Sequence, residues 1–172
     1  MDAMLKNSLW QQFGAALDTL DDAITLCPDH LWTTQVWKDP EDACYGQYWW
    51  IASHAVMWTD LFFGGTMEGF LPPSPFIRGG LPDQPYTKAD VRGYLLHCRQ
   101  KAHDLFMELT DEQANKVCVF KWMEPTYFEL QLYSMRHIQE HAAQLNLVLG
   151  GHEVEGLDWV PSAREKVLTT EQ

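Results

Sequence analysis

The apolar residues of this 172-residue chain recur every three or four positions in four long stretches. That spacing places apolar side chains along one face of a helix, so each stretch predicts a helix with one buried side. The four predicted helices run from about Ala3 to Cys27, from about Glu41 to Phe63, from a cap at Thr87 to about Leu109, and from about Thr126 to Leu149. The pattern indicates an all-α chain built on four long helices.

Polar residues and helix breakers mark the ends of these helices. Thr87 with Asp90, and Thr126 with Glu129, have the spacing of capping boxes. Pro28 ends the first helix, because proline clashes with the preceding turn and lacks a backbone N–H. Two glycines, at positions 150 and 151, are expected to stop the last helix.

The segments between the long helices are expected to be less regular. Thr110 to Lys116 has the pattern of a short helical turn. Val117 to Lys121 is typical of a short extended piece, which pairs with residues near Val36. Gly64 to Tyr86 is rich in glycine and proline and predicts a long crossover, either a cover for one end of the bundle or a passive connection. Such a crossover lets helices two and three run parallel or antiparallel.

The length of the chain bounds its domain organisation. With 172 residues and 46% hydrophobic content, it is long enough for one core and short for two. We expect a single domain over residues 1–160 and a polar C-terminal tail with a loose end over residues 161–172. Trp159 is expected to pack back onto the bundle. Three acidic residues of the first helix are expected to form a solvated face: Asp18, Asp21 and Asp22.

Composition restricts the partners and the location. The formal net charge of -12 repels nucleic-acid backbones and anionic membranes, so neither is an expected partner. Met1 to Lys6 lacks the features of a secretory signal, and every apolar stretch is far below the roughly 18 residues that a membrane span needs. A soluble, cytoplasmic protein is therefore expected. The cysteines lack CxxC spacing and are expected to be reduced thiols in the core: Cys27, Cys44, Cys98 and Cys118.

The second predicted helix carries apolar residues on more than one side. Its inner stripe runs from Gln47 through Ile51 to Leu61, and aromatic residues cover other sides, among them Trp49 and Phe62. A helix of this kind is either central in its own chain or shared with a second subunit.

Histidines occupy inward positions on two of the predicted helices. His137 and His141 lie one turn apart on the stripe of the last helix, with Cβ atoms roughly 5–6 Å apart, so both rings can reach one metal ion. His54 lies in the middle of the inner stripe of the second helix. Neutral imidazoles that face a core need partners, and a metal is the simplest shared one. The alternative is a set of hydrogen-bonded core histidines without a metal.

Three nitrogen donors leave at least one coordination position open, as in catalytic zinc sites, whereas closed structural sites use four protein ligands. Imidazole suits zinc, nickel, copper and iron alike, so the donors do not name the ion. Residues 137–141 also spell HxxEH, the inverted zinc-protease motif. We reject that interpretation because only 31 residues follow His141, and because Glu140 lies about 100° off the inner stripe.

Two segments carry a resemblance to a known family. The second helix reads YWWIASHAVMWTDLFF around His54, and the last reads YSMRHIQEHAAQLNLVLG around His137 and His141. With the proline-rich crossover between them, they resemble the DinB superfamily, the DinB/YfiT-like metalloenzymes, over roughly Ala3 to Trp159. The resemblance implies a DinB/YfiT-like four-helix bundle, up-up-down-down or similarly crossed, often a homodimer. It also implies a divalent ion, zinc or nickel foremost, bound by the three histidines.

The resemblance also indicates a class of function, because some relatives are transferases or isomerases that use a low-molecular-weight thiol such as bacillithiol or mycothiol. Our first hypothesis is a metal-dependent enzyme acting on a small molecule, a thiol transferase or, as a variant, a hydrolase. Tyr133, one turn before His137, is the candidate for a hydrogen bond to substrate or water, with ordinary packing as the alternative. The second hypothesis is a non-catalytic, metal- or ligand-binding regulatory dimer, which a closed metal shell would favour.

Overall fold

Five α-helices make up most of the structure. The computed structural model describes residues 1–165. The helices are α1 Ala3–Leu26, α2 Tyr48–Gly64, α3 Lys88–Glu108, α4 Asp111–Asn115 and α5 Tyr127–Gly151. Two short 3₁₀ helices, Asp29–Leu31 and Ala43–Gly46, precede α2. No strand occurs in the part of the chain that is described, and the all-α prediction is confirmed.

The four long helices pack side by side around one core. α1 and α2 lie at opposite corners, because each of them packs against both α3 and α5. Contacts between side chains give the directions. Asp21 meets Arg92 and Asp18 meets Arg99, so that positions rise along α3 as they fall along α1. These two helices are therefore antiparallel.

The long crossover joins two parallel helices. Asp60 of α2 meets Tyr94 of α3, and Phe63 meets Phe106 further along both. α5 runs opposite to α2, because Tyr127 meets Phe63 and Gln131 meets Phe62, so that positions rise along α5 as they fall along α2. The four long helices thus run up, down, down and up in chain order. This order is a crossed topology and differs from the up-up-down-down arrangement.

The second helix begins later than the sequence pattern predicts. A 3₁₀ helix capped by Asp42, whose side chain accepts from the Cys44 N–H, replaces the predicted first turns. Gln47 is extended, with φ -83° and ψ 151°, and forms a bridge with Gln35. The predicted start at Glu41 is therefore wrong, because this extended residue breaks the helical path.

Most of α2 is buried by its own chain, since 12 of its 17 residues are inaccessible. Tyr86, at the end of the crossover, contacts Trp49 with ring centroids 5.7 Å apart. Met67 and Phe70, also in the crossover, pack on the cluster that contains Leu61. A central position of α2 within its own chain therefore accounts for its apolar faces, and their burial requires no second subunit.

The acidic face of α1 is not solvated, contrary to expectation. Asp18 and Asp21 are only 2% and 4% exposed. Asp18 forms an ion pair with Arg99 at 2.6 Å, and Asp21 one with Arg92 at 2.7 Å. Asp22 pairs with a guanidinium from the C-terminal segment. These partners are distant in sequence, so the local pattern of charges could not indicate them.

The described part of the C-terminal segment is attached to α1. The backbone N–H of Arg164 donates to Asp18 at 2.7 Å. Gly14 lets the segment approach, because a Cβ there would lie 2.5 Å from the Cβ of Ala163. Trp159 is 81% exposed, so the prediction that it packs on the bundle is wrong. Residues 166–172 of the predicted loose end lie outside the described residues.

Helix caps follow the predictions closely. At Thr87 and Asp90 both hydrogen bonds of the capping box are present. At Thr126 the structure shows one of the two hydrogen bonds of the predicted capping box, the one that the Thr126 side chain accepts from the N–H of Glu129. α5 nevertheless continues through both glycines to Gly151, so its predicted stop is two residues early.

The predicted extended segment pairs with a different partner. Val117 forms an isolated bridge with Thr126, and Gln35 forms one with Gln47. The expected pairing near Val36 is therefore wrong. The segment turns back on the chain just after it, because the N–H of Cys118 donates to the carbonyl of residue 125. The predicted short helical turn before it is α4.

Two expectations from composition can be compared with the structure. All four cysteines are free, and Cys27, Cys98 and Cys118 are buried as predicted, whereas Cys44 is only half-buried and lies outside the core. Burial raises the pKa of Cys27 to about 11, so this thiol is protonated at neutral pH. Among residues 1–165, no helix combines the length and hydropathy needed to cross a bilayer.

The buried ion pair between Asp18 and Arg99 generates a prediction about stability. Asp18→Asn leaves a guanidinium without its counter-charge, and we expect the free energy of unfolding to fall by about 3–5 kcal/mol. Urea denaturation followed by circular dichroism measures it. Asp158→Asn, at an exposed position, is the matched control and should stay within about 0.5 kcal/mol of the unmodified chain. Equal effects of the two substitutions would contradict a structural role for the pair.

Candidate metal centre

Hydrogen bonds at one end of α5 set its register against α2. The Tyr127 hydroxyl donates to the carbonyl of Phe63 at 3.0 Å, and the Gln131 amide donates to the carbonyl of Phe62 at 3.1 Å. The last carbonyl groups of a helix have no partner within it, so these side chains supply one. The start of α5 is thereby attached to the end of α2, and the two helices run antiparallel from this point.

This register brings the three histidines to one level. His54 lies eight residues before Phe62, and the midpoint of His137 and His141 lies eight residues after Gln131. At 1.5 Å of rise per residue, both positions are about 12 Å from the attachment point. The histidine of α2 therefore lies opposite the pair on α5.

The Nε2 atoms of the three rings converge. His137 Nε2 lies 3.2 Å from His54 Nε2 and 3.1 Å from His141 Nε2. The ligand atoms of all three residues lie within 4.8 Å of one another, and no fourth histidine, cysteine or carboxylate in residues 1–165 belongs to this group. Zinc binds imidazole at 2.0–2.1 Å, which separates two nitrogens of a tetrahedral site by about 3.3 Å. The three donors fit one ion with a position to spare.

Neutral imidazoles alone satisfy this cluster poorly. His137 Nε2 faces the Nε2 atoms of both His54 and His141. In a neutral ring this nitrogen carries either one proton or one lone pair, so it can make only one good hydrogen bond. A cation between the rings uses all three lone pairs at once. The donor set thus favours the metal interpretation over a hydrogen-bonded cluster.

The electrostatic environment keeps the rings in the form that binds metals. Burial, together with the neighbouring imidazoles, lowers the pKa of both His54 and His137 to about 3. Burial also lowers the pKa of His141, and the hydrogen bond from this ring to Gln144 partly opposes that shift. Metal coordination requires neutral imidazole. These shifts favour neutral rings at pH 7, so that binding of a metal ion would not require the rings to release protons.

One outer contact orients the cluster. His141 Nδ1 lies 2.8 Å from the Gln144 side-chain oxygen, which can only accept. The proton of His141 is thereby held on Nδ1, and the lone pair of Nε2 points to the other rings. His137 Nδ1 and Ser134 Oγ are buried without a partner among the described residues.

The histidines were expected inside the core, but they lie at its edge. His54, His137 and His141 are half-buried, whereas Ile138 and Ala142, one position further along α5, are inaccessible. The buried line of α5 is therefore rotated from the predicted stripe. α5 packs against both α1 and α2, so its deepest line and its histidine line need not coincide.

Two cavities adjoin the histidines. The aromatic cavity, of about 300 Å³, is lined by Trp37, Asp39, Tyr45, Trp50, Ile51, His54 and His141. The apolar cavity, of about 240 Å³, is also lined by Trp50 and His54, together with Met67, Phe70 and Arg78 of the crossover. The crossover thus covers the site, which favours that interpretation over a passive connection.

Tyr133 does not line either cavity among the described residues. Its ring packs edge-on against Phe62, with centroids 5.5 Å apart, in a separate apolar cluster. This contact favours the packing role over the predicted hydrogen bond to a substrate. Glu140 is exposed, which agrees with its predicted position off the inner stripe. Sequence patterns did not indicate Trp37 or Asp39 as site residues, because both lie in a connector without periodicity. Tyr45 lies in the 3₁₀ helix Ala43–Gly46, where the pattern predicts the start of the second helix.

Comparisons with known proteins identify no relative of this chain. It matches no family model, no curated protein and no solved structure. The geometry of the three histidines is therefore the structural observation that bears on function.

The converging nitrogens predict binding of one divalent ion per chain. Protein stripped of metal and then incubated with zinc or nickel should hold about one equivalent by plasma mass spectrometry. His141→Ala removes one of three ligands, so we expect affinity to fall by more than about a hundredfold. His103→Ala is the matched control, since His103 lies against Trp10, away from the cluster. Equal metal content in all three proteins would exclude this centre.

The contact between His141 and Gln144 predicts a smaller effect. Gln144→Leu frees the His141 ring to rotate, and we expect zinc affinity to fall by about 10–100-fold. Competition with a chromophoric chelator measures the affinity. Gln139→Leu, on the same helix, is the control and should bind as tightly as the unmodified chain. Unchanged affinity in Gln144→Leu would show that the contact does not orient the ligand.

Proposed function

We propose that this chain is a DinB-like, metal-dependent enzyme in which His54, His137 and His141 hold a zinc or nickel ion. The convergence of three neutral Nε2 atoms from two helices, with distances of 3.1 and 3.2 Å, carries the proposal. A homodimer and a low-molecular-weight thiol cosubstrate belong to the same proposal through the resemblance.

The arrangement of elements supports the DinB assignment. One histidine lies on α2 and two lie one turn apart on the last long helix. A long crossover separates α2 from α3, and these helices run parallel. The histidine positions and the long crossover correspond to what the resemblance implies, whereas the parallel course of α2 and α3 fits only its crossed form and not the up-up-down-down form.

The chemistry follows from an open coordination position beside a cavity. A divalent ion lowers the pKa of a thiol or water, so that a nucleophile is present near neutral pH. In thiol transfer, sulfur bonds to an electrophilic carbon, the leaving group departs with its electron pair and the thiol proton passes to solvent. The chain's part is to orient the ligands through Gln144 and to admit a small molecule through the aromatic cavity.

The regulatory alternative is less well supported. A regulatory role predicts a closed metal coordination shell, with a fourth protein ligand and no cavity through which a substrate could reach the ion. Within residues 1–165 the histidine group has no fourth ligand, and His54 and His141 both line a cavity. We therefore favour the enzyme over the non-catalytic dimer.

A direct assay tests the proposal. Protein loaded with zinc or nickel is given small thiols with a chlorinated aromatic electrophile, and chloride release is followed; an activated ester tests hydrolysis. We expect turnover that depends on the metal and that His137→Ala lowers by more than about a hundredfold, because the ion supplies several kcal/mol of transition-state stabilisation.

His103→Ala is the control for this assay and should retain full turnover. Full turnover in metal-free protein, or in His137→Ala, would overturn a metal-dependent mechanism. A metal-loaded protein that binds thiols but turns over no electrophile or ester would favour the regulatory dimer instead.

A further inference from the structure

The aromatic cavity has an unusual wall for a site beside a metal centre. Three aromatic side chains line it, Trp37, Tyr45 and Trp50, and the rings of Tyr45 and Trp50 lie 5.1 Å apart. Its volume of about 300 Å³ is at the small end of the range for ligand pockets. Since His54 and His141 form its inner side, a molecule in it reaches the histidine centre.

The loop that carries Trp37 and Tyr45 is held in place by hydrogen bonds to backbone carbonyls. Val36 N–H donates to the carbonyl of Gly46 at 2.8 Å, and Gln35 Nε2 donates to the carbonyl of Ala43 at 2.8 Å. Gly46 is required there, because a Cβ would lie 2.0 Å from the carbonyl oxygen of Trp37. The position of Trp37 is thus defined by the fold.

Asp39 adds a negative charge to the wall. Its Oδ1 accepts from the N–H groups of Glu41 and Asp42, at 2.9 and 3.3 Å, which fixes the carboxylate. Within residues 1–165, Asp39 forms no ion pair, and the described lining of the cavity contains no lysine or arginine. The charge of Asp39 is therefore available to a ligand.

We propose that the aromatic cavity binds an organic ammonium group of the substrate, with the reacting end of the molecule at the histidine centre. This inference rests on the proposed function and names its substrate class. Aromatic faces attract alkylated ammonium groups through their negative quadrupole, and the carboxylate of Asp39 adds to the attraction. Such a cation needs few hydrogen-bond acceptors, and this wall offers one carboxylate among three rings.

A matched pair of probes tests the charge alone. Choline carries a trimethylammonium group, and 3,3-dimethylbutan-1-ol replaces its nitrogen by carbon with the same shape. We expect choline to bind at least about tenfold more tightly by calorimetry, because a desolvated cation–π contact is worth that factor. Equal affinity, or no choline binding at millimolar concentration, would overturn the inference.

Variants locate the site. Asp39→Asn keeps the Oδ1 acceptor and removes only the charge, so the loop should stay folded while choline affinity falls by at least about fivefold. Trp50→Leu should lower choline affinity by at least the same factor as Asp39→Asn. Arg78→Gln, in the apolar cavity, should leave choline binding unchanged. Tighter binding of 3,3-dimethylbutanoate than of choline, lost in Arg78→Gln, would assign the substrate an anionic group instead.

The titrations are run on both metal-free and zinc-loaded protein, with zinc content measured on the same samples. Choline preference in a protein that binds neither zinc nor nickel would overturn the proposed function and leave the cation site standing. Zinc binding and turnover without choline preference would do the reverse. The two proposals therefore fail separately.

Discussion

The register of α5 against α2 is the constraint on which the site depends. Tyr127 and Gln131 attach the start of α5 to the last carbonyls of α2, some 12 Å from the histidines. A slip of one residue would turn each side chain by about 100° and separate the rings. Because both helices are uninterrupted over that distance, two hydrogen bonds at one end are enough to define a geometry at the other. Catalytic groups on helices are positioned more closely than groups on loops for this reason.

The edge of the core suits such a centre better than its middle. Ile138 and Ala142 are inaccessible and hold the backbone of α5, while His137 and His141 project toward α2 from the neighbouring line. Half-burial excludes enough water to keep the imidazoles neutral, yet leaves His54 and His141 on the surface of a cavity. A fully buried triad would lose access, and an exposed one would be free to rotate and to take up protons.

The features that could be predicted from the sequence are those that depend on neighbouring residues. Helix periods, the Thr87 cap and the i, i+4 spacing of His137 and His141 depend on residues within two turns, and the structure agrees with them. The partner of Asp18 is 81 residues away, so a charge pattern interpreted locally suggested solvent where there is an ion pair. The aromatic wall was equally hidden, because Trp37 lies on a loop whose path is set by Gly46 and by contacts across the connector.

The distribution of charge connects the two proposals. Four acidic residues pair with four basic ones in partly or fully buried positions: Asp18 with Arg99, Asp21 with Arg92, Asp22 with Arg164 and Asp60 with Lys101. Of 24 acidic and 12 basic residues, these pairs leave 20 acidic against 8 basic. The ratio of acidic to basic residues is therefore higher among the remaining residues than in the chain as a whole. A field of that sign raises the local concentration of cations, and it falls with ionic strength. Divalent ions and organic ammonium groups are drawn by the same field, which makes a metal centre beside a cation-binding wall electrostatically consistent in this chain.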